Sequence, residues 1–148
     1  MPRIVRAMKR DGRYPLIGAS KKALGAEIGS GQNDLPMDDN GLVHPGTGGM
    51  SVSPTWRDLP GHRIPQRLRV LCSYATGKDF FECWQFGDGP FINGEMTTGL
   101  SLRVDRSTHG VIEPSHEIPA HEYQASLAAT RENWSLVPET VSINEALA

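Results

Sequence analysis

The residues best suited to chemistry lie in one stretch, residues 41–54, where a glycine-rich turn leads into alternating polar and apolar positions. Gly48 and Gly49 carry no Cβ, so the backbone there is able to approach a ligand closely. Ser51 and Ser53 alternate with apolar residues, which predicts a strand that presents hydroxyl groups on one face. The stretch is either the floor of a binding pocket or a tight turn into an ordinary edge strand.

A second candidate is Arg6, in an alternating segment near the start of the sequence. Ile4, Arg6 and Met8 fall on one face of a predicted strand, so the arginine shares its face with two apolar side chains. A partly buried guanidinium pairs well with a carboxylate or a phosphate. We therefore expect Arg6 either to form an internal ion pair or to bind an anion.

Several familiar catalytic signatures are missing from the sequence. Neither a G-x-x-x-x-G-K-[ST] phosphate loop nor a G-x-S-x-G nucleophile elbow occurs. His116 and His121 do not have the H-E-x-x-H spacing of zinc hydrolases, and Pro119 lies between them, so we expect no metal site. The other histidines, which are acid–base candidates, are His44, His62 and His109.

The elements that position these residues belong to a chain of 148 residues with 38% apolar residues, 16 glycines and 11 prolines. This length predicts one domain, and the many turn-forming residues predict a loop-rich α+β domain of short strands. Seven basic side chains fall within residues 1–22, yet the formal net charge is only −2. The near-neutral total argues against a dedicated nucleic-acid-binding protein.

Periodicity predicts the order of the elements. Strands are expected over residues 3–9, 69–74, 79–86, 100–105 and 108–114, a short helix after Ser20, and a C-terminal helix over residues 120–134. The aspartates of residues 34–39 are interpreted as solvated. The proline-rich residues 54–66 predict an ordered loop with a 3₁₀ turn. Candidates for a pocket rim here are Trp56, His62, Arg63 and Arg67.

The sequence carries no signal for a membrane or an oxidising compartment. It contains no run of about eighteen apolar residues, and its basic start is not followed by a hydrophobic signal core. We expect the protein to act in a cytoplasm, either in the cell that makes it or, after secretion, in a target cell. Cys72 and Cys83 lack metal-ligand spacing and are expected to be reduced, packed thiols.

The order of these features resembles one family. Arg6 in the first strand is followed by Pro-x-Thr-Gly-Gly-x-Ser-Val at residues 45–52, by a late strand from His109 to Pro114, and by Tyr123 on the last helix. This order resembles the small cytoplasmic effector toxins of the type VI secretion system, whose fold is similar to that of the ADP-ribosyltransferases. The resemblance implies a single, compact ADP-ribosyltransferase-like domain over residues 1–148, with a C-terminal helix.

The resemblance implies that NAD is the substrate. Arg6 would hold a phosphate of the dinucleotide, the two glycines would allow close approach, and Ser51 would support the nicotinamide ribose. The implied NAD-binding residues are Arg6, Thr47, Gly48, Gly49 and Ser51. Met50 stands where the family has threonine, so one hydroxyl group is missing from this sequence.

The resemblance also implies a late carboxylate that acts at the ribose. Glu113 is the first candidate and Glu117 and Glu122 are the alternatives, with Ser51 and His109 as the other catalytic residues. ADP-ribose would pass to a protein or nucleic-acid target, or to water, and a cognate immunity protein would be a partner. An aromatic wall for the ligand ring would come from Trp56, Tyr74 or Phe80.

Two other functions remain open. In the first, the protein is a non-enzymatic binding module whose basic N-terminal segment and proline-rich loop form a surface for a partner protein. In the second, it is a nuclease toxin that uses histidines as acid and base. That activity would degrade RNA or DNA without NAD.

Overall fold

Short antiparallel strands supply most of the regular structure in the computed structural model, which describes residues 1–29 and 33–141. The strands are β1 Ile4–Met8, β2 Arg10–Asp11, β3 Tyr14–Pro15, β4 Leu42–Val43, β5 Met50–Val52, β6 Glu82–Phe86, β7 Gly94–Thr97, β8 Leu100–Arg106, β9 His109–Pro114, β10 Ile118–Pro119 and β11 Ser135–Leu136. The α-helix α1 spans Ala120–Ala128, and 3₁₀ helices lie at Trp56–Asp58, Gly61–Arg63, Gln66–Val70 and Arg131–Asn133. The expected α+β class, with a helix near the C-terminus, is confirmed.

Two antiparallel sheets carry the fold. One has the strand order β1-β6-β11 and the other the order β5-β9-β8-β7, while β10-β4 and β2-β3 form separate pairs. The two sheets meet where Val5 and Ser53 exchange backbone hydrogen bonds of 2.7 and 2.9 Å. This contact places β1 directly beside the residue that follows β5.

Strand β1 is buried on both faces. Ile4 and Met8 belong to one hydrophobic cluster, with the helix α1 and the larger sheet, while Val5 and Ala7 belong to a second cluster beneath the proline-rich loop. Arg6 lies on the face of Ile4 and Met8, as the alternation predicted, and is only 5% exposed. The arginine is therefore placed in the interior by the two apolar residues that flank it on the same face.

The β8–β9 hairpin follows the predicted alternation closely. Leu102 faces the core opposite Ile112, because paired residues of neighbouring strands point to the same side of a sheet. Ser51 of β5 pairs with Val111, so its side chain shares the outward face of the sheet with those of His109 and Glu113. The sheet thus brings three sequence-predicted site residues onto one face.

Helix α1 is held to this sheet by Tyr123, which is fully buried. Its hydroxyl group accepts a hydrogen bond of 3.1 Å from the backbone N–H of Met50 and donates one to the carbonyl oxygen of Ile112. One side chain of the helix therefore bonds to the paired residues of β5 and β9. Burial raises the pKa of Tyr123 above its usual range, which keeps the hydroxyl group protonated and able to donate.

The structure corrects two element predictions. Residues 69–74 are not a strand, because the 3₁₀ helix Gln66–Val70 begins after Pro65 and Arg69 bonds through its side chain to the carbonyl oxygen of Ala75. Residues 21–29 form no helix, because the Arg6 side chain binds the carbonyl oxygens of Ser20, Ala23 and Gly25. Those carbonyl oxygens would otherwise accept the hydrogen bonds of a helix.

The predicted C-terminal helix is shorter than expected. It ends at Ala128 rather than at residue 134, and a 3₁₀ turn follows. The Thr130 hydroxyl group donates to the carbonyl oxygen of Leu127 and accepts a hydrogen bond from the Trp134 indole. The Thr130 side chain thus supplies a hydrogen-bond donor to a carbonyl oxygen at the end of the helix. The chain then turns toward β11.

Cys72 and Cys83 are free, buried thiols, as expected. They lie in the second hydrophobic cluster, beneath the proline-rich loop. Burial raises the pKa of Cys83 to about 12, so this thiol is protonated at neutral pH and a poor nucleophile. In the described ranges, no helix combines the length and the apolar character needed to cross a membrane.

Candidate functional site

A cleft of about 200 Å³ opens between the outward face of the larger sheet, the first strand and the proline-rich loop. Its lining includes Arg6, Ser51 and His109, three of the residues that the sequence singled out. His62 and Arg63 of the proline-rich loop also line it, as predicted for a pocket rim, whereas Trp56 and Arg67 are not among the lining residues. We take this cleft as the candidate functional site.

The lining of the cleft is strongly basic. Four cationic side chains contribute to it, and they are Arg6, Lys21, Arg63 and Arg106. Asp34 is the carboxylate among the lining residues, and its Oδ1 lies 3.0 Å from the Nζ of Lys21. One carboxylate therefore faces four cations, and the excess positive charge suits an anionic ligand.

Arg6 is bound by the chain itself. Its Nη1 donates to the carbonyl oxygen of Ser51 at 2.7 Å, and its Nε and Nη2 each donate to the carbonyl oxygen of Ala23 at 3.1 Å. The Nη2 also lies 3.2 Å from the carbonyl oxygens of Ser20 and Gly25. Arg6 thus fixes the wall of the cleft, and most of its N–H groups are already used.

The charge of Arg6 persists in spite of its burial. Desolvation lowers the pKa of Arg6 to about 10, and the negative charge of Asp34 acts in the opposite direction. The guanidinium therefore remains protonated at neutral pH. A fixed positive charge therefore lies behind the strand that carries Ser51.

Close packing of the backbone explains why residues 48 and 49 are both glycine. An ideal Cβ on Gly48 would lie 2.2 Å from the carbonyl oxygen of Asp34, and one on Gly49 would lie 2.3 Å from that of Ile112. Gly48 also has a φ of 146°, which side chains rarely adopt. The two glycines were predicted to let the backbone approach a ligand, but the space beside them is filled by neighbouring backbone. Neither glycine is among the residues that line the cleft.

Thr47 lies beside the same turn. Its hydroxyl group donates to the carbonyl oxygen of His44 at 2.8 Å, on the exposed side of the segment. Thr47 is not among the residues that line the cleft. Of the five expected NAD-binding residues, the cleft brings together Arg6 and Ser51.

Glu113 also stands apart from the cleft lining. Its Oε2 accepts hydrogen bonds from Arg103 Nε at 2.9 Å and from the backbone N–H of Gly46 at 2.8 Å. This carboxylate therefore fixes the glycine-rich turn to the hairpin. The two alternative carboxylates do not line the cleft either. Glu117 lies beside His44, and Glu122 is exposed on helix α1.

His109 faces the cleft with a partner behind it. The Nδ1 of its imidazole lies 2.7 Å from Oδ1 of Asp105. His62 lies in the cleft lining as well, and its Nε2 accepts a hydrogen bond of 3.3 Å from Nε of Arg63. His44 is elsewhere, with its Nε2 2.7 Å from Oδ2 of Asp38.

The aromatic candidates do not form a wall of the cleft. Trp56 is buried in the second hydrophobic cluster, and its Nε1 donates to Glu139. Tyr74 and Phe80 are about half exposed, and the Nζ of Lys9 lies 4.5 Å from the centre of the Phe80 ring. None of the three is among the lining residues of the cleft.

Sequence reasoning missed four residues of this site or its support: Lys21, Asp34, Asp105 and Arg106. Asp34 was interpreted as solvated, yet its side chain is only 6% exposed. The Oδ2 of Asp34 accepts a hydrogen bond of 3.0 Å from the backbone N–H of Glu27. The backbone carbonyl oxygen of Asp34 accepts a second hydrogen bond, from the backbone N–H of Gly49. The local sequence offers no signal for Asp34, whereas the spacing of Asp105 and His109 across a hairpin turn is visible in it.

Neither the protein-family models nor the curated proteins with which this sequence was compared match it. Across residues 1–29 and 33–141, no group of three His, Cys, Asp or Glu side chains is arranged to hold a metal ion.

Proposed function

We propose that the cleft binds NAD and that the protein is a toxin effector with an ADP-ribosyltransferase-like fold. It transfers ADP-ribose from NAD to a cellular target or hydrolyses NAD. The observation that carries this proposal is the basic cleft, which is lined by Arg6 and Ser51, two of the five residues that the family resemblance assigns to the dinucleotide. The mixed α+β architecture and the order of the matched segments support the same reading.

The charges of the cleft suit the pyrophosphate of a dinucleotide. Arg63 and Arg106 come from different elements and both line the cleft, and none of the ion pairs among the described residues involves either of them. Arginine binds phosphate oxygens with two parallel N–H groups, which gives both strength and orientation. Arg63 already uses its Nε and Nη1 within the chain, so we assign this two-point contact to Arg106. Arg6 and Lys21 add positive charge behind them.

The reaction breaks the bond between nicotinamide nitrogen and C1′ of the ribose. The bonding electron pair moves to nicotinamide, which leaves as a neutral ring, and positive charge develops on the ribose. Water, or a hydroxyl or other nucleophile of a target, then forms a bond to C1′ and loses a proton to a base. A cleft that orients the two reactants and matches the developing charges accelerates such a step.

A nuclease is the second candidate, and the pair of histidines favours it. His62 and His109 both line the basic cleft, whereas His44 does not. Two imidazoles serve as general acid and general base in phosphodiester cleavage, and nearby cations stabilise the phosphate. This candidate requires RNA or DNA in the cleft in place of NAD.

The test of the proposal is nicotinamide release from NAD by the purified chain, with and without a cell lysate. Arg106→Gln removes a cleft charge from an exposed position, so we expect about a tenfold rise in KM, corresponding to about 1.4 kcal/mol. Ser51→Ala tests the hydroxyl group in the cleft. Arg13→Gln, in the exposed turn between β2 and β3, is the matched control and leaves KM unchanged.

Two results separate the candidate functions. Folded wild-type protein that neither binds NAD nor releases nicotinamide contradicts the proposal. RNA or DNA cleavage by the same preparation, lost in His62→Ala and in His109→Ala, supports the nuclease. Growth inhibition with neither activity favours a non-enzymatic binding module.

A further inference from the structure

We infer that Asp105 is a positioning residue that holds His109 as the proton acceptor of the cleft. The inference rests on the proposed function and assigns the base that this reaction needs. It concerns a residue outside the segments that carry the family resemblance.

The β8–β9 hairpin is irregular at this point. Val104 pairs with Gly110 and Arg106 pairs with His109, so Asp105 and Arg106 together oppose a single residue of β9. Such a bulge changes the direction of side chains, and bulges occur often beside active sites. Here the Asp105 carboxylate bonds to His109, and Arg106, the residue paired with His109, lines the cleft with it.

The hydrogen bond fixes the tautomer of His109. An ionised carboxylate only accepts hydrogen bonds, so the Nδ1 that lies 2.7 Å from Asp105 Oδ1 carries the proton. In the neutral ring, Nε2 then has a free lone pair, and the ring lines the cleft with a 24% exposed side chain. Desolvation opposes ionisation of Asp105, but the hydrogen bond from His109 is the largest of the interactions that lower the pKa of Asp105 overall.

His109 is better placed for this role than Glu113. Glu113 Oε2 already accepts two hydrogen bonds, from Arg103 and from Gly46, and the residue is not part of the cleft lining. Freeing that oxygen would release the glycine-rich turn. The Nε2 of His109 needs no such rearrangement.

Nicotinamide leaves with the electron pair of the broken bond, and as the oxygen of water or of a target hydroxyl group then bonds to C1′, its proton passes to Nε2 of His109. The imidazole becomes an imidazolium ion, whose positive charge faces the Asp105 carboxylate. Asp105 therefore stabilises the charged ring and never needs to accept the proton itself.

The experiment is nitrogen NMR of the histidine rings in the full chain at neutral pH, combined with steady-state kinetics on NAD. We expect His109 of the wild type to carry its proton on Nδ1. Asp105→Asn permits the other tautomer, because an amide both donates and accepts. It should lower kcat about a hundredfold or more with KM changed less than about twofold.

Two further variants serve as a control and as a rescue of the Asp105 carboxylate. Asp39→Asn makes the same change of charge on an exposed loop and leaves the His109 tautomer and kcat unaltered. Asp105→Glu keeps a carboxylate and should restore part of kcat. A wild-type ring protonated on Nε2, or an unchanged kcat in Asp105→Asn, overturns the inference. If wild type turns over no NAD, the proposed function fails, and the NMR spectra alone decide whether Asp105 holds His109.

Discussion

The Nη1 of Arg6 donates a hydrogen bond of 2.7 Å to the backbone carbonyl oxygen of Ser51, which joins the first strand to the strand at the floor of the cleft. The other N–H groups of the same guanidinium bind carbonyl oxygens of residues 20–25 on the opposite wall. One buried cation therefore organises both sides of the cleft. Loss of activity on changing Arg6 would reflect this architecture as well as any contact with a ligand.

Replacing Arg6 should destabilise the whole protein. Arg6→Met removes the donor to several buried carbonyl oxygens, and each unsatisfied group costs about 1–3 kcal/mol. We expect the free energy of unfolding to fall by about 3 kcal/mol or more in urea titrations. Arg3→Gln, an exposed arginine with one bond to the carbonyl oxygen of Pro54, is the control and should change it by less than about 1 kcal/mol. Equal stability of Arg6→Met and wild type would refute this role.

The glycine-rich turn should tolerate no side chain at its tightest positions. In Gly49→Ala the new methyl group meets the carbonyl oxygen of Ile112, and we expect a loss of about 1–3 kcal/mol. Gly94→Ala is the control, because nothing lies within 4 Å of the Cβ position there. The midpoints of thermal unfolding check the difference. A stable Gly49→Ala protein that loses only ligand binding would instead favour a direct ligand contact.

Both the hydroxyl group and the ring of Tyr123 should contribute to the stability of the protein. Tyr123→Phe leaves the backbone N–H of Met50 and the carbonyl oxygen of Ile112 without their partner in a buried site. We expect unfolding to become easier by about 1–3 kcal/mol. Tyr14→Phe serves as the control, since that ring keeps its stacking with Arg131. An unchanged urea midpoint for Tyr123→Phe would contradict the assignment.

Lowering the pH should remove the stability that the hydrogen bond between Asp38 and His44 contributes. The hydrogen bond from His44 is the main cause that lowers the pKa of Asp38 below its ordinary value of 3.8, and backbone N–H groups add to it. A lowered pKa contributes stability above the unfolded-state value, and this contribution disappears as the pH falls through the folded-state value. Asp38→Asn should therefore be less stable than wild type at neutral pH and approach it below about pH 3.8.

Urea titrations over this range of pH measure the effect. Asp39→Asn, on the neighbouring exposed residue, should keep the acid dependence of wild type. If Asp38→Asn and wild type differ by the same amount at every pH, the hydrogen bond to His44 does not contribute in this way.

Local pattern determined much of the scaffold. Alternation predicted β8 and β9 nearly to the residue, and it placed Arg6 on the face of Ile4 and Met8. These elements are decided by which side chains avoid water, a property that each short segment carries by itself. The position of Ser51 opposite the apolar face of β5 follows from the same rule.

The cleft itself was decided by tertiary structure. Asp34 comes to the turn of Gly48 because backbone groups far apart in the sequence pair there, and the carbonyl oxygens around Ser20 bind Arg6 instead of forming a helix. Glu113 is drawn to Arg103 by the pairing of β8 with β9. Sequence types and periodicity identify candidate groups, but their partners depend on long-range packing, which no local pattern contains.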